Sequence, residues 1–94
     1  MATTDQIEAR WNKIVTDAVT NLRNTTGWVA MVDLRRVLDA RTLNRATQDQ
    51  HLKRMSRTRL IDLAPESNRK TLTDADHAAA IRIGDDDCHI IALP

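Results

Sequence analysis

Aromatic side chains are almost missing from this chain: it has two tryptophans, Trp11 and Trp28, and no phenylalanine or tyrosine in 94 residues. That scarcity argues against a reader of RNA loops or single strands, because such proteins stack bases on aromatic platforms. Glycine is scarce as well. Gly27 and Gly84 stand far apart, so nothing resembles a glycine-rich loop that cradles a phosphate. The single cysteine, Cys88, excludes an intramolecular disulfide framework and fits a reducing compartment. No apolar run approaches the roughly 20 residues needed to cross a bilayer. The opening MATTDQIEARW lacks both the basic start and the apolar centre of a signal peptide. The expectation is a single cytoplasmic domain spanning 1–94, with a compact core and no membrane contact.

Signs of catalysis and of metal or cofactor binding are missing too. His51, His77, Cys88 and His89 are the soft metal ligands, and they show no CxxC, HxxxH or other paired spacing. Asp85–Asp87 lacks the alternation and the closing glutamate of a calcium loop. Ser56 and Ser67 have no identifiable histidine–acid relay. The sequence therefore predicts a protein that is not an enzyme and carries no metal or cofactor.

What the chain does have is charge, unevenly placed. Its formal net charge is only +1, yet Arg41, Arg45, Lys53, Arg54, Arg57 and Arg59 face a single acid, Asp49, in the stretch 41–59. Between Thr73 and Asp87 the balance reverses, with Asp74, Asp76 and Asp85–Asp87 against Arg82 alone. This distribution predicts one positive and one negative pole.

Hydrophobic periodicity gives the element order. Ile7, Trp11, Ile14, Val15, Ala18 and Leu22 recur at spacings of three and four, which predicts an amphipathic helix from Thr4 to about Asn24, capped by Asp5 or Thr4. Trp28–Val32 (WVAMV) reads as a short strand. Asp33 reads as the cap of a short helix that buries Leu34, Val37 and Leu38. Both tryptophans are expected in the core, given the area that each would bury. Thr47 and Gln50 fit a capping box for a second helix running to about Thr58. Leu52 and Met55 then point inward, and Gln50, Lys53, Arg54 and Arg57 point outward. Leu60–Leu63 reads as a strand ended by Ala64-Pro65, and Glu66–Lys70 as a loop. Thr73 and Asp76 mark the cap of a helix stopped by Gly84, Asp85–Asp87 a charged turn, and Cys88–Leu93 a closing strand.

Three segments carry a resemblance: GWVAMVDLRRVL, the capped basic stretch TQDQHLKRMSRTR, and LIDL directly after it. In order and periodicity the chain resembles the winged helix-turn-helix superfamily. The resemblance implies an α+β fold, in which a three-helix core meets a small antiparallel sheet and a short extra helix lies in the wing. It also implies that the basic helix over 47–58 enters the major groove of double-stranded DNA. Arg45, Thr47, Gln48, Gln50, Lys53, Arg54 and Arg57 would then contact DNA from that helix, with Arg69 and Lys70 on the wing. Arg can pair with guanine and Gln with adenine, while cations neutralise phosphates. The implied role is a small transcriptional or mobile-element regulator, acting as a homodimer through the first helix, over 5–24.

A winged helix can also serve protein–protein contact, alone or as an accessory domain of a larger complex, without touching DNA. The charge map separates the two readings. DNA binding requires Lys53, Arg54, Arg57 and Arg69 on one continuous positive face, with Asp85–Asp87 well away from it. An acidic turn beside the basic helix would oppose a duplex and favour a protein partner.

Overall fold

Thr3, rather than Thr4 or Asp5, starts the first helix of the computed structural model, which describes residues 2–94 apart from the side chain of Arg69. Thr3 Oγ1 accepts the Gln6 N–H at 3.2 Å, and Gln6 Oε1 accepts the Thr3 N–H at 2.9 Å. This capping box satisfies two donors that a bare helix start would leave open. Helix α1 spans Thr4–Leu22, two residues short of the expected end. It buries Trp11, Val15, Ala18 and Val19, while Ile7 and Leu22 stay exposed near its two ends.

Gly27, at φ +82°, turns the chain into strand β1 (Trp28–Ala30). Met31 and Val32 do not continue this strand: α2 runs Met31–Ala40, and Ala30 precedes it without a side-chain cap. Asp33 therefore lies in the first turn and is not the cap. Two features favour the early start. The Met31 N–H donates to the His89 carbonyl at 2.8 Å, so tertiary structure supplies the missing cap. Met31, Leu34 and Leu38 recur at helical spacing, and all three are fully buried.

Helix α3 (Arg45–Arg57) also begins earlier than expected. Its cap is Asn44, whose Oδ1 accepts the N–H groups of Ala46 at 2.8 Å and Thr47 at 3.3 Å. Thr47 is thus inside the first turn, and no Thr47–Gln50 capping box forms. The helix closes with Arg59 at φ +62°, its N–H bonded to Ser56 and that of Leu60 to Met55. This is the paired arrangement of a Schellman stop, with arginine where glycine is commoner.

Strand β2 covers Asp62–Ala64 rather than 60–63, and a 3₁₀ turn covers Arg69–Thr71. Helix α4 (Asp74–Ala79) has the expected Thr73–Asp76 capping box. It ends at Ala79, well before Gly84. Ile81–Ile83 forms β3, which pairs antiparallel with β4 (Asp86–Cys88) through a two-residue turn at Gly84-Asp85. Alternation explains the change from the expected helix: Ile81 is buried, Arg82 is exposed, and both isoleucines are β-branched. Gly84, at φ +60°, takes the first turn position, where a type II′ hairpin favours glycine. Cys88–Leu93 is likewise not one strand. His89 separates β4 from β5 (Ile90–Ala92).

β5 is the centre of a three-stranded antiparallel sheet in the order β1-β5-β2. The register aligns Val29, Ile91 and Leu63 in one row facing the core, while Trp28, Ala92 and Asp62 align on the other face. Trp11 is buried as expected. Trp28 is not, and remains 36% exposed on the outer face of the sheet. One apolar cluster joins α1, α2, α3, the sheet, Ala79 and the hairpin residues Ile81 and Cys88. The result is a small α+β domain with four helices and antiparallel sheets.

The cap assignment is open to a direct check. Asn44→Ala should lower unfolding free energy by about 1 kcal/mol in a urea titration. Thr47→Ala, which removes no cap, should cost clearly less. A larger loss at Thr47 would place the helix start where the sequence pattern put it.

Candidate functional site

Helix α3 presents fewer outward side chains than its sequence suggests. Leu52 and Met55 point inward, as the periodicity predicts, and Arg45, Gln50, Lys53 and Arg57 are exposed. Gln48 is not outward at all. It is completely buried, donating to Asp39 Oδ1 at 2.8 Å and to the Leu43 carbonyl at 2.9 Å. Thr47 is half-buried. Arg54 also turns away from solvent: its side chain, 16% exposed, reaches across to α1. There it donates to Asn12 Oδ1 at 2.9 Å and stands 3.7 Å from the Glu8 carboxylate. A second contact, 3.2 Å to His51 Nδ1, makes that nitrogen an acceptor. Lys70 is exposed on the 3₁₀ turn. The side chain of Arg69 lies outside the described residues.

Sequence reasoning missed the polar centre of the molecule, Arg35. This guanidinium on α2 is 2% exposed and uses all three nitrogens. Nε donates to the Ala79 carbonyl at 3.0 Å, one NH₂ group to Gln48 Oε1 at 2.9 Å, and the other to the Asp49 carboxylate. Burial pulls the Arg35 pKa down, and the hydrogen bond and charge of Asp49 push it back up. Arg45 makes a companion contact, donating to the Ala78 carbonyl at 2.9 Å. Together the two arginines bind the last carbonyls of α4, where cations suit the negative end of a helix. A polar residue on the inner face of a short amphipathic helix was the available signal, and Arg35 sits one position after Leu34.

Since β3 follows α4 within two residues, this anchor also positions the β3–β4 hairpin. The hairpin comes to rest beside α3. Lys53, Ser56 and Arg57 from α3, with Arg82, Ile83 and Gly84 from the hairpin, line a cleft of about 200 Å³. Asp85 and Asp86 follow Gly84 directly, and Asp87 pairs with Arg82 at 3.3 Å. The acidic run therefore starts at the residue next to the cleft, although Asp85, Asp86 and Asp87 do not themselves line it. A second groove, of about 350 Å³, runs between α1 and α3 and is lined by Ile7, Glu8, Gln50, His51, Arg54 and Arg57, with Thr4 at its end.

Several groups are tuned by this packing. His51 stacks on Trp11, with ring centroids 4.6 Å apart. Burial, and then the adjacent Arg54, lower its pKa below the ordinary 6.5, with Glu8 opposing them. Burial, followed by Asp86 and Asp87, pushes the Cys88 thiol up, which makes it a poor nucleophile near neutrality. The Thr73 backbone and hydroxyl hold the Asp76 carboxyl below its usual range. His89 is buried, and its Nδ1 accepts the Glu66 N–H at 3.2 Å. Its ring meets His77 edge-on at 5.6 Å. Among the described residues, no group of three or more His, Cys, Asp or Glu could hold a metal ion, and no helix is long and apolar enough to cross a membrane.

No known protein family, curated protein or solved structure matches this chain.

Two outcomes test the packing around the site. Arg35→Ala leaves Asp49 and the Ala79 carbonyl without their partner and should cost about 3–5 kcal/mol, read as a lower urea midpoint. The depressed His51 pKa means that the unfolded chain binds more protons than the native one as pH falls through 6.5. His51 should therefore contribute a loss of stability below that pH, and His51→Gln should flatten the fall between pH 8 and 5. An unchanged slope would place the titration elsewhere.

Proposed function

We propose that this chain is a winged-helix-type interaction domain that docks a protein partner on the face shared by α3 and the β3–β4 hairpin. Support for the fold reading comes from the element order and from sheet order β1-β5-β2, which puts the last strand between the first two. On this reading the segment from Pro65 to His89 is an enlarged wing that carries α4 and its own hairpin.

The single observation behind the docking reading is the position of Gly84 beside Lys53 and Arg57. A duplex carries about one phosphate charge per 1.7 Å of axis, so one laid along α3 would bring many phosphates past Asp85–Asp87. Repulsion there opposes the attraction of the lysine and arginines. A folded or extended protein partner has no such uniform charge.

Double-stranded DNA is the second reading, and one specific feature favours it. Arg45, Gln50, Lys53 and Arg57 are exposed on a single helix and include the side-chain types that pair with phosphates, guanine and adenine. A transcriptional or mobile-element regulator would use them in the major groove. Dimerisation through α1 would have to use surface other than its buried face, since Trp11, Val15, Ala18 and Val19 already pack on the domain's own core.

A labelled random duplex titrated across salt concentrations separates the readings. The docking reading expects a dissociation constant no tighter than roughly 10⁻⁴ M near physiological salt, the weak end of non-specific binding. Binding tighter than about 10⁻⁶ M, with a salt slope near −3 that flattens in Lys53→Ala/Arg57→Ala, would overturn it in favour of DNA.

A further inference from the structure

The cleft between α3 and the β3–β4 hairpin has a chemistry more specific than a general docking face. Lys53 and Arg57 are one helical turn apart and point to the same side. Both are exposed, and neither has an ion-pair partner among the described residues. Arg82, across the cleft, is already engaged by Asp87. Half-buried Ile83 and Ser56, with Gly84, complete the lining of the cleft. Two unpaired cations on the α3 wall, facing Ile83 and an already engaged Arg82 on the hairpin wall, define a two-part site.

We infer that this cleft binds an acidic segment of a partner protein in which a carboxylate stands beside an apolar side chain. The inference rests on the docking reading above. The carboxylate would sit on Lys53 and Arg57, with charge-assisted hydrogen bonds from both. The neighbouring apolar side chain would cover Ile83 and the methylene stems, removing them from water. A volume of about 200 Å³ leaves room for a pair of side chains, not for a folded surface. The flanking acids set the selectivity. Asp85 and Asp86 repel a polyanion that brings charge to every position, but tolerate a segment that brings one carboxylate to the cations. A purely apolar segment would desolvate the two free cations without compensation.

Selection of a random-peptide phage library on the whole chain tests this. Enriched peptides are expected to carry Asp or Glu next to Leu, Ile, Val, Met or an aromatic residue. Synthesised and labelled, they should lose at least about tenfold in affinity to Arg57→Glu and to Lys53→Glu, the scale of one charge-assisted hydrogen bond. Both positions are exposed, so the variants should keep the wild-type melting curve. Backbone amide shifts on peptide addition should concentrate at Lys53, Ser56, Arg57, Arg82, Ile83 and Gly84. Enriched peptides without acidic residues, or ones that bind both variants as tightly as the wild type, would overturn the acidic-segment inference and leave protein docking elsewhere on the chain standing. No enrichment at all, together with tight duplex binding, would overturn the docking reading as well.

Discussion

The guanidinium of Arg35, buried where α2, α3 and α4 meet, is the contact on which the rest of this structure depends. Its three nitrogens bind one carbonyl of α4 and two side chains of α3. Helix α4 has only six residues, too few to hold its shape by local hydrogen bonding alone. Its first turn is satisfied by the Thr73–Asp76 box and its last by Arg35 and Arg45. Fixing Ala79 fixes Ile81, and with it the starting point of the hairpin. The cleft beside α3 thus depends on a contact made one helical turn earlier, at Asp49, on the same side of that helix as Lys53.

Such an arrangement is costly. Taking an ion pair out of water costs several kcal/mol before attraction and hydrogen bonds repay it, and a well-packed apolar trio of similar size could be as stable. What the polar network adds is direction. Gln48 has its two donors and its acceptor assigned, with Asp39, Leu43 and Arg35 at fixed angles. A greasy contact between α2, α3 and α4 would allow sliding, whereas these bonds define one register. Among the described residues the same economy recurs at Arg54, which ties α3 to α1 through Asn12 and Glu8. Arg54, which the sequence places on the surface, and Arg35, which it does not single out, are both structural.

That substitution of roles explains what was legible in the sequence and what was not. The buried face of α1, the inward Leu52 and Met55, the Thr73–Asp76 cap and the order of the main elements follow from periodicity and local capping, which neighbours in sequence decide. The start of α2 does not, because its cap is the carbonyl of His89, far along the chain. Nor do the roles of Arg35, Gln48 and Arg54, because each depends on which element packs opposite. The Ala-rich run before Ile81 looked helical through Gly84, and pairing with Asp86–Cys88 decided otherwise. Of the expected contact residues, Gln50, Lys53 and Arg57 stay on the surface because the elements beside them leave open clefts there and do not close over them. Gln48 and Arg54 fail because something does.

The remaining question is why a chain would place Asp85–Asp87 beside its own free cations. The three cations that line the cleft, Lys53, Arg57 and Arg82, equal in formal charge the three acids that follow Gly84 in the chain. Balance is not neutralisation, for only Arg82 and Asp87 are paired among the described residues. Lys53 and Arg57 on the cleft, and Asp85 and Asp86 in the turn that follows Gly84, have no ion-pair partner among the described residues. A surface of that kind gains little from a ligand's total charge and much from where the charge sits. It would attract a polyanion and repel it at once, while a ligand with one acid placed toward α3 feels only the attractive half. On the docking proposal, the hairpin anchored through Arg35 would belong to the recognition surface, because its acids would decide which anions the α3 cations can accept.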